Sequence, residues 1–85
     1  MPIISSFLGI IITMYWSDHA PPHFHAKYGD FEVIVTIKGG IIEGKFPKRA
    51  LKLVLEWLDL HHDELLENWE RCQKREPLQA IEPLE

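Results

Sequence analysis

The stretch HFHAKYGDFEVIVTIKGGIIEGKF, residues His23–Phe46, decides the fold. Gly29-Asp30 separates two runs in which apolar and polar residues alternate, and Gly39-Gly40 separates the second run from a third. Both dipeptides are favoured two-residue hairpin loops, because glycine accepts the positive φ that such turns demand. The reading is two consecutive hairpins. Counting outward from Gly29-Asp30 sets Tyr28 opposite Phe31, Lys27 opposite Glu32, Ala26 opposite Val33, His25 opposite Ile34, Phe24 opposite Val35 and His23 opposite Thr36. Opposed residues share a sheet face, so Phe24, Ala26, Tyr28, Phe31, Val33 and Val35 make one apolar face, and Lys27 with Glu32 makes an opposite-charge pair on the other. Counting outward from Gly39-Gly40 sets Ile37 opposite Ile42, Thr36 opposite Glu43, Val35 opposite Gly44, Ile34 opposite Lys45 and Val33 opposite Phe46. Ile42 and Phe46 join the apolar face; Glu43 and Lys45 join the polar one. A slip of one residue would bury the charges.

Upstream, Ile3–Phe7 and Ile10–Tyr15 read as further strands around Gly9, nearly continuous in apolar residues and therefore committed to neither face. Downstream, Pro47–Arg75 has no glycine and no internal proline, consists of good helix formers, and starts on a proline suited to a first helical turn. Leu51, Leu55, Leu58, His62, Leu65, Trp69 and Cys72 recur at spacings of four and three and draw an apolar stripe. One straight helix over that span would be about 40 Å long, more than a domain of this size can cover. A bend is expected at Asp59–His62, giving two helices. Glu67–Arg71 and Glu70–Lys74 are i,i+4 pairs on an exposed face. Pro77 ends the helical part, and Leu78, Ala80, Ile81 and Leu84 give the tail enough apolar character to dock, as an edge strand capped by Pro83. The expected class is α+β: a small, mainly antiparallel sheet over 1–46, two C-terminal helices over 47–76 packed on one face, and a docked tail over 77–85.

The 85 residues allow one domain, and 46% hydrophobic with 26% charged residues is ordinary globular composition. The longest apolar stretch, around Phe7–Ile12, falls far short of the roughly 20 residues needed to cross a bilayer. The N-terminus lacks the basic and small-residue features of a secretion signal, so a cytoplasmic protein is expected. The single cysteine, Cys72, can form neither an internal disulfide nor a thiolate zinc site. A chain this small is held by packing or by packing against a partner, either another protein or a second copy of itself. The net charge of −4 argues against broad nucleic-acid affinity. Charge is uneven, though: Lys45, Lys48, Arg49 and Lys52 cluster without an acid among them, and Lys48, Arg49 and Lys52 stand at a helix N-terminus, where the dipole disfavours them. They form a candidate binding surface for RNA phosphates or an acidic partner, set against the plainer reading of a solvated face.

The chemistry concentrates in Ser17-Asp18-His19-Ala20-Pro21-Pro22-His23-Phe24-His25, which holds three of the five histidines. His23 and His25 alternate onto one strand face with Cα atoms about 6.6–7 Å apart. Two imidazoles so placed can bind one ion or act as acid and base on one substrate. The register puts His23 in a row with Thr36 and Glu43, and His25 in a row with Ile34 and Lys45. Three readings follow. The histidines and Asp18 satisfy the local backbone; or Asp18, His19, His23 and His25 hold a zinc-like divalent ion. In the third, His23 and His25, with Glu43 and Lys45, are catalytic groups acting on a phosphodiester, Lys45 or Arg49 stabilising charge. Trp57 and Trp69 fall with the core, and His61 and His62, adjacent on a helix, point about 100° apart and form no site.

Met1-Pro-Ile-Ile-Ser, Gly9-Ile-Ile-Ile-Thr-Met-Tyr, Asp18-His-Ala-Pro-Pro-His-Phe-His-Ala, Leu51–Trp57 with Leu60-His61, Glu64-Leu-Leu-Glu-Asn-Trp and Ile81-Glu-Pro-Leu closely resemble a family of small bacterial proteins called domain of unknown function 4160. The Asp-His-x-Pro-Pro-His-Phe-His run is the most specific of these features. The resemblance implies a cytosolic protein encoded beside a small protein of the family called domain of unknown function 2442, the two forming a type II toxin–antitoxin pair. It carries no active-site assignment. On this reading the protein is the toxin component, acting through a complex with the neighbouring antitoxin and through RNA cleavage. The alternative is a non-enzymatic module that binds a metal or a protein with the His23/His25 face.

Overall fold

A computed structural model describes residues 3–15 and 20–84. Five strands, β1 (Ile3–Phe7), β2 (Ile10–Thr13), β3 (His23–Tyr28), β4 (Phe31–Thr36) and β5 (Ile42–Lys45), form one antiparallel sheet in the order β1-β2-β3-β4-β5. Two helices follow, α1 (Lys48–Leu60) and α2 (His62–Gln73). This is the expected α+β architecture.

The β3–β4 register agrees at every pair from His23↔Thr36 to Tyr28↔Phe31. Gly29 has φ +58°, as a hairpin with glycine at its first turn position requires. The β4–β5 register differs by two residues: Val35 lies opposite Ile42, Ile34 opposite Glu43, Val33 opposite Gly44 and Glu32 opposite Lys45. Thr36 and Ile41, not Lys38 and Ile41, close this hairpin, with the Thr36 N–H donating to the Ile41 carbonyl and the Gly40 N–H to that of Thr36. The reason lies in Ile37. Its side chain is sealed in the core, and its N–H donates to the Pro22 carbonyl at 3.0 Å, extending the β3 ladder. A two-residue turn would instead have Ile37 paired in the β5 ladder.

Inward-facing Ile10, Ile12, Phe24, Ala26, Val33 and Val35 build the core with Val54, Trp57, Leu65, Trp69 and Cys72 from the helices. Trp57 is fully buried, its ring 5.5 Å from that of Phe7 and 5.7 Å from that of Phe24. The helical segment breaks at His61 (φ −122°, ψ 27°), inside the expected bend. The break resets the phase of the stripe. In α2 the expected Leu65, Trp69 and Cys72 are buried; in α1 the expected Leu58 is buried too, but with Ala50, Val54 and Trp57, while Leu51 and Leu55 lie half-buried beside them.

The tail docks, but by anchors and not as a strand. Ile81 is buried and its N–H donates to the Ile4 carbonyl on the β1 edge. Trp57 Nε1 donates to the Glu82 carbonyl, and the buried Asn68 side chain bonds Gln79 twice, giving Nδ2–H to its carbonyl and accepting its N–H. Asn68 thereby does for the tail what a neighbouring backbone would do in a ladder. No described helix is long and apolar enough to cross a membrane.

Candidate functional site

Alternation along β3 sends Phe24 and Ala26 into the core and leaves His23 and His25 half-buried on the opposite face. Their rings lie 5.5 Å apart. The row continues at both ends: the Tyr15 ring meets His25 edge-on at 4.5 Å, and the Trp69 ring of α2 lies 5.1 Å from His23. The histidines therefore do not look wholly away from the helices, because α2 contributes one wall.

Each imidazole is oriented through Nδ1. His23 Nδ1 lies 2.8 Å from the Pro21 carbonyl and His25 Nδ1 lies 3.3 Å from Glu32 Oε2. A carbonyl or carboxylate oxygen accepts, so Nδ1–H is the donor in both contacts and Nε2 is the nitrogen each ring has left to offer. His25 Nε2 is shut off from solvent. The Ala20–Pro21 peptide bond before His23 is cis.

An open cleft of about 370 Å³ is lined by Ala20, Pro21, His23, His25, Ile34, Thr36 and Glu43. The shifted β4–β5 register decides which charged residue enters it. Glu43 lies across from Ile34, in the row of His25 and not in that of His23 as expected. Lys45 lies across from Glu32, in the row of Lys27, and not in the row of His25. Among the described lining residues there is no lysine or arginine. Lys48, Arg49 and Lys52 are exposed on the first turns of α1, which has no acid in its first turn and no side-chain cap at Pro47. They too are absent from the lining.

Asp18 and His19 lie outside the described residues. Among the described residues, no three histidine, cysteine, aspartate or glutamate side chains are grouped as a metal ion needs. His23, His25 and Glu43 share a cleft without forming such a group.

Sequence reasoning missed three contributors. Glu32, assigned to Lys27 across the strand pair, turns its carboxylate to His25, its diagonal neighbour; such neighbours lie about 7–8 Å apart, within reach of a long side chain. Tyr15 and Trp69 come from other parts of the chain, and no local pattern announces them.

The family model described as Domain of unknown function (DUF4160) matches residues 9–70. The chain belongs to this family. The match takes in all of β2 to α1 and most of α2, and it spans the residues that line the cleft. No curated protein and no solved structure matches the chain.

Proposed function

We propose that this member of the family is the toxin-like component of a bacterial type II toxin–antitoxin pair, a cytoplasmic protein that works by binding a protein partner in the His23–His25 cleft. The observation that carries this reading is the composition of the cleft wall. Glu43 occupies the row that a phosphate-stabilising cation would need, and the remaining lining mixes apolar Ala20, Pro21 and Ile34 with Thr36 and the two oriented imidazoles. A phosphodiester would meet a carboxylate there, at a cost in electrostatic repulsion. A polypeptide segment that lays an apolar residue on Ile34 and Pro21 and points a lysine or arginine at Glu43 finds both needs met. The inaccessible Nε2 of His25 likewise suits an orienting role better than proton transfer to a substrate.

The test uses the small protein encoded beside this one. Expression of the wild-type chain arrests growth, co-expression of the neighbour relieves it, and calorimetry on the purified pair gives a stoichiometric complex. Charge reversal by Glu43→Lys weakens that complex at least about tenfold. If Glu43→Lys and His23→Ala both bind the neighbour with unchanged affinity, the cleft is not the recognition surface. If growth arrest is then lost in His23→Ala alone and RNA is cleaved by the wild type, the cleft is catalytic instead.

A further inference from the structure

One end of the sheet presents aromatic rings that the helices leave uncovered. Tyr28 and Phe31 face each other across the Gly29-Asp30 hairpin on the core side, yet they are 39% and 46% exposed. Phe46 joins them. Its ring lies 6.1 Å from that of Tyr28, and the β4–β5 ladder, carried one step past Glu32↔Lys45, sets it beside Phe31. Tyr28 lies over Gly9 of the neighbouring β1–β2 turn, where an added Cβ would come within 3.1 Å of its ring, and Leu8 of the same turn is 58% exposed. A β-strand pair gains by burying such rings, so leaving them in water is a cost to the isolated fold.

Charge at this end differs in sign from that of the whole chain. Phe46 and Pro47 lead directly into α1, whose first turns carry exposed Lys48, Arg49 and Lys52 with no acid in the first turn. The positive end of the helix dipole adds to them. The acids adjacent to Phe31 are Asp30, in the hairpin turn, and Glu32, which pairs with Lys27 and turns its carboxylate to His25 on the opposite sheet face. The exposed glutamates Glu64, Glu67 and Glu70 that contribute to the net negative charge sit on α2.

We propose that the ledge of Tyr28, Phe31 and Phe46 binds single-stranded RNA, bases packing on the rings and phosphates meeting Lys48 and Arg49. Rings flanked by cations are the two components of sequence-tolerant single-strand binding, since every base has a face to stack and every linkage a charge to neutralise. An acidic peptide would satisfy the cations but would have no particular use for rings in place of aliphatic side chains. This surface is separate from the His23–His25 cleft, and the proposal stands without any partner bound there.

The experiment is fluorescence anisotropy of the full chain with a labelled oligouridylate of about 8 nucleotides. Saturable binding is expected, with Phe31→Ala weakening it about 5- to 100-fold, the span reported for loss of one base–ring stack. Phe31→Leu keeps apolar bulk and removes the ring, so it weakens binding as well, and unchanged circular dichroism shows that both variants fold. Lys48→Gln lowers the slope of log affinity against log salt by about 0.7, the value for one phosphate contact on a single strand. Lys38→Gln, an equal loss of charge at an exposed site in the Thr36–Ile41 loop, leaves that slope in place. The proposal is overturned by absence of saturable binding at low salt, by Phe31→Leu binding like wild type, or by Lys38→Gln matching Lys48→Gln. It is equally overturned if a polyglutamate peptide binds more tightly than the oligonucleotide.

Discussion

The two hairpins of the β3–β5 meander carry nearly the same turn signal and close differently. Gly29-Asp30 closes as a two-residue loop with Tyr28 and Phe31 as its flanking pair. Gly39-Gly40 sits inside a longer loop that runs from Thr36 to Ile41. The difference teaches where alternation stops being informative. A shift of one residue exchanges the faces and is forbidden by burial, but a shift of two leaves every side chain on its own face. Hydrophobic pattern therefore cannot choose between the two closures, and long-range contacts must: the buried Ile37 side chain and the Pro22 carbonyl select the longer loop. The functional consequence is large, because that shift exchanges Lys45 for Glu43 in the row of His25.

The most damaging way to break the second hairpin is Gly44→Ala. Gly44 has φ +114°, and a Cβ there would lie 2.5 Å from the Glu32 carbonyl oxygen and 3.2 Å from Val33 Cα, both backbone atoms that cannot step aside. Left-handed strain and overpacking together cost about 3 kcal/mol. Urea unfolding should report that loss, and amide exchange should accelerate across β5 first. Partner binding at the cleft should fall in parallel, since Glu43 is carried by the displaced strand. A stability change under about 0.5 kcal/mol, the level of an ordinary surface substitution, would show that β5 does not approach β4 this closely.

The same substitution in the first hairpin should be milder. Gly29 also has positive φ, but a Cβ there meets nothing within 4 Å. Gly29→Ala therefore costs backbone strain alone, about 1 kcal/mol, and Gly29→Asn recovers part of it because asparagine tolerates the left-handed region. Equal losses at Gly29 and Gly44 in chemical denaturation would remove the contrast between an open turn and a close strand approach.

These contrasts mark how much could be read in advance. The strands, the first register, the bend near His61 and the His23/His25 pairing all follow from patterns within one element or one tight turn. Contacts between elements distant in the chain leave no such local pattern. A stripe continuous through His62 includes the buried Leu58 but passes over Leu51 and Leu55 where Ala50, Val54 and Trp57 are the buried residues, because the break at His61 changes the phase. Asn68 looks like any polar helix residue until the tail is placed beside it. The cleft was half legible: face alternation assigns Glu43 to the histidine side, but its row depends on a loop length that the glycines alone do not determine. Trp69, outside the cleft lining, meets the His23 ring only through the packing of α2.

The smallest effect gives the sharpest test of register. With Lys45 opposite Glu32, the two side chains are a direct cross-strand pair of opposite sign on a solvent-facing row. A double-mutant cycle with Glu32→Ala and Lys45→Ala should give a coupling energy of about 0.5 kcal/mol, weakened by added salt as expected for a pair this exposed. In the shorter-loop register Lys45 would instead lie opposite Ile34, and its coupling to Glu32 would fall toward zero. Because Glu32 also accepts from His25 Nδ1, the single variant Glu32→Ala removes that contact as well as the charge opposite Lys45. The cycle removes that ambiguity, since the His25 contribution is present in both arms and cancels. A nuclear Overhauser contact between the Lys45 and Ile34 backbones, with none between Lys45 and Glu32, would return Lys45 to the histidine row, and with it the cation that a phosphate-directed chemistry in the cleft requires.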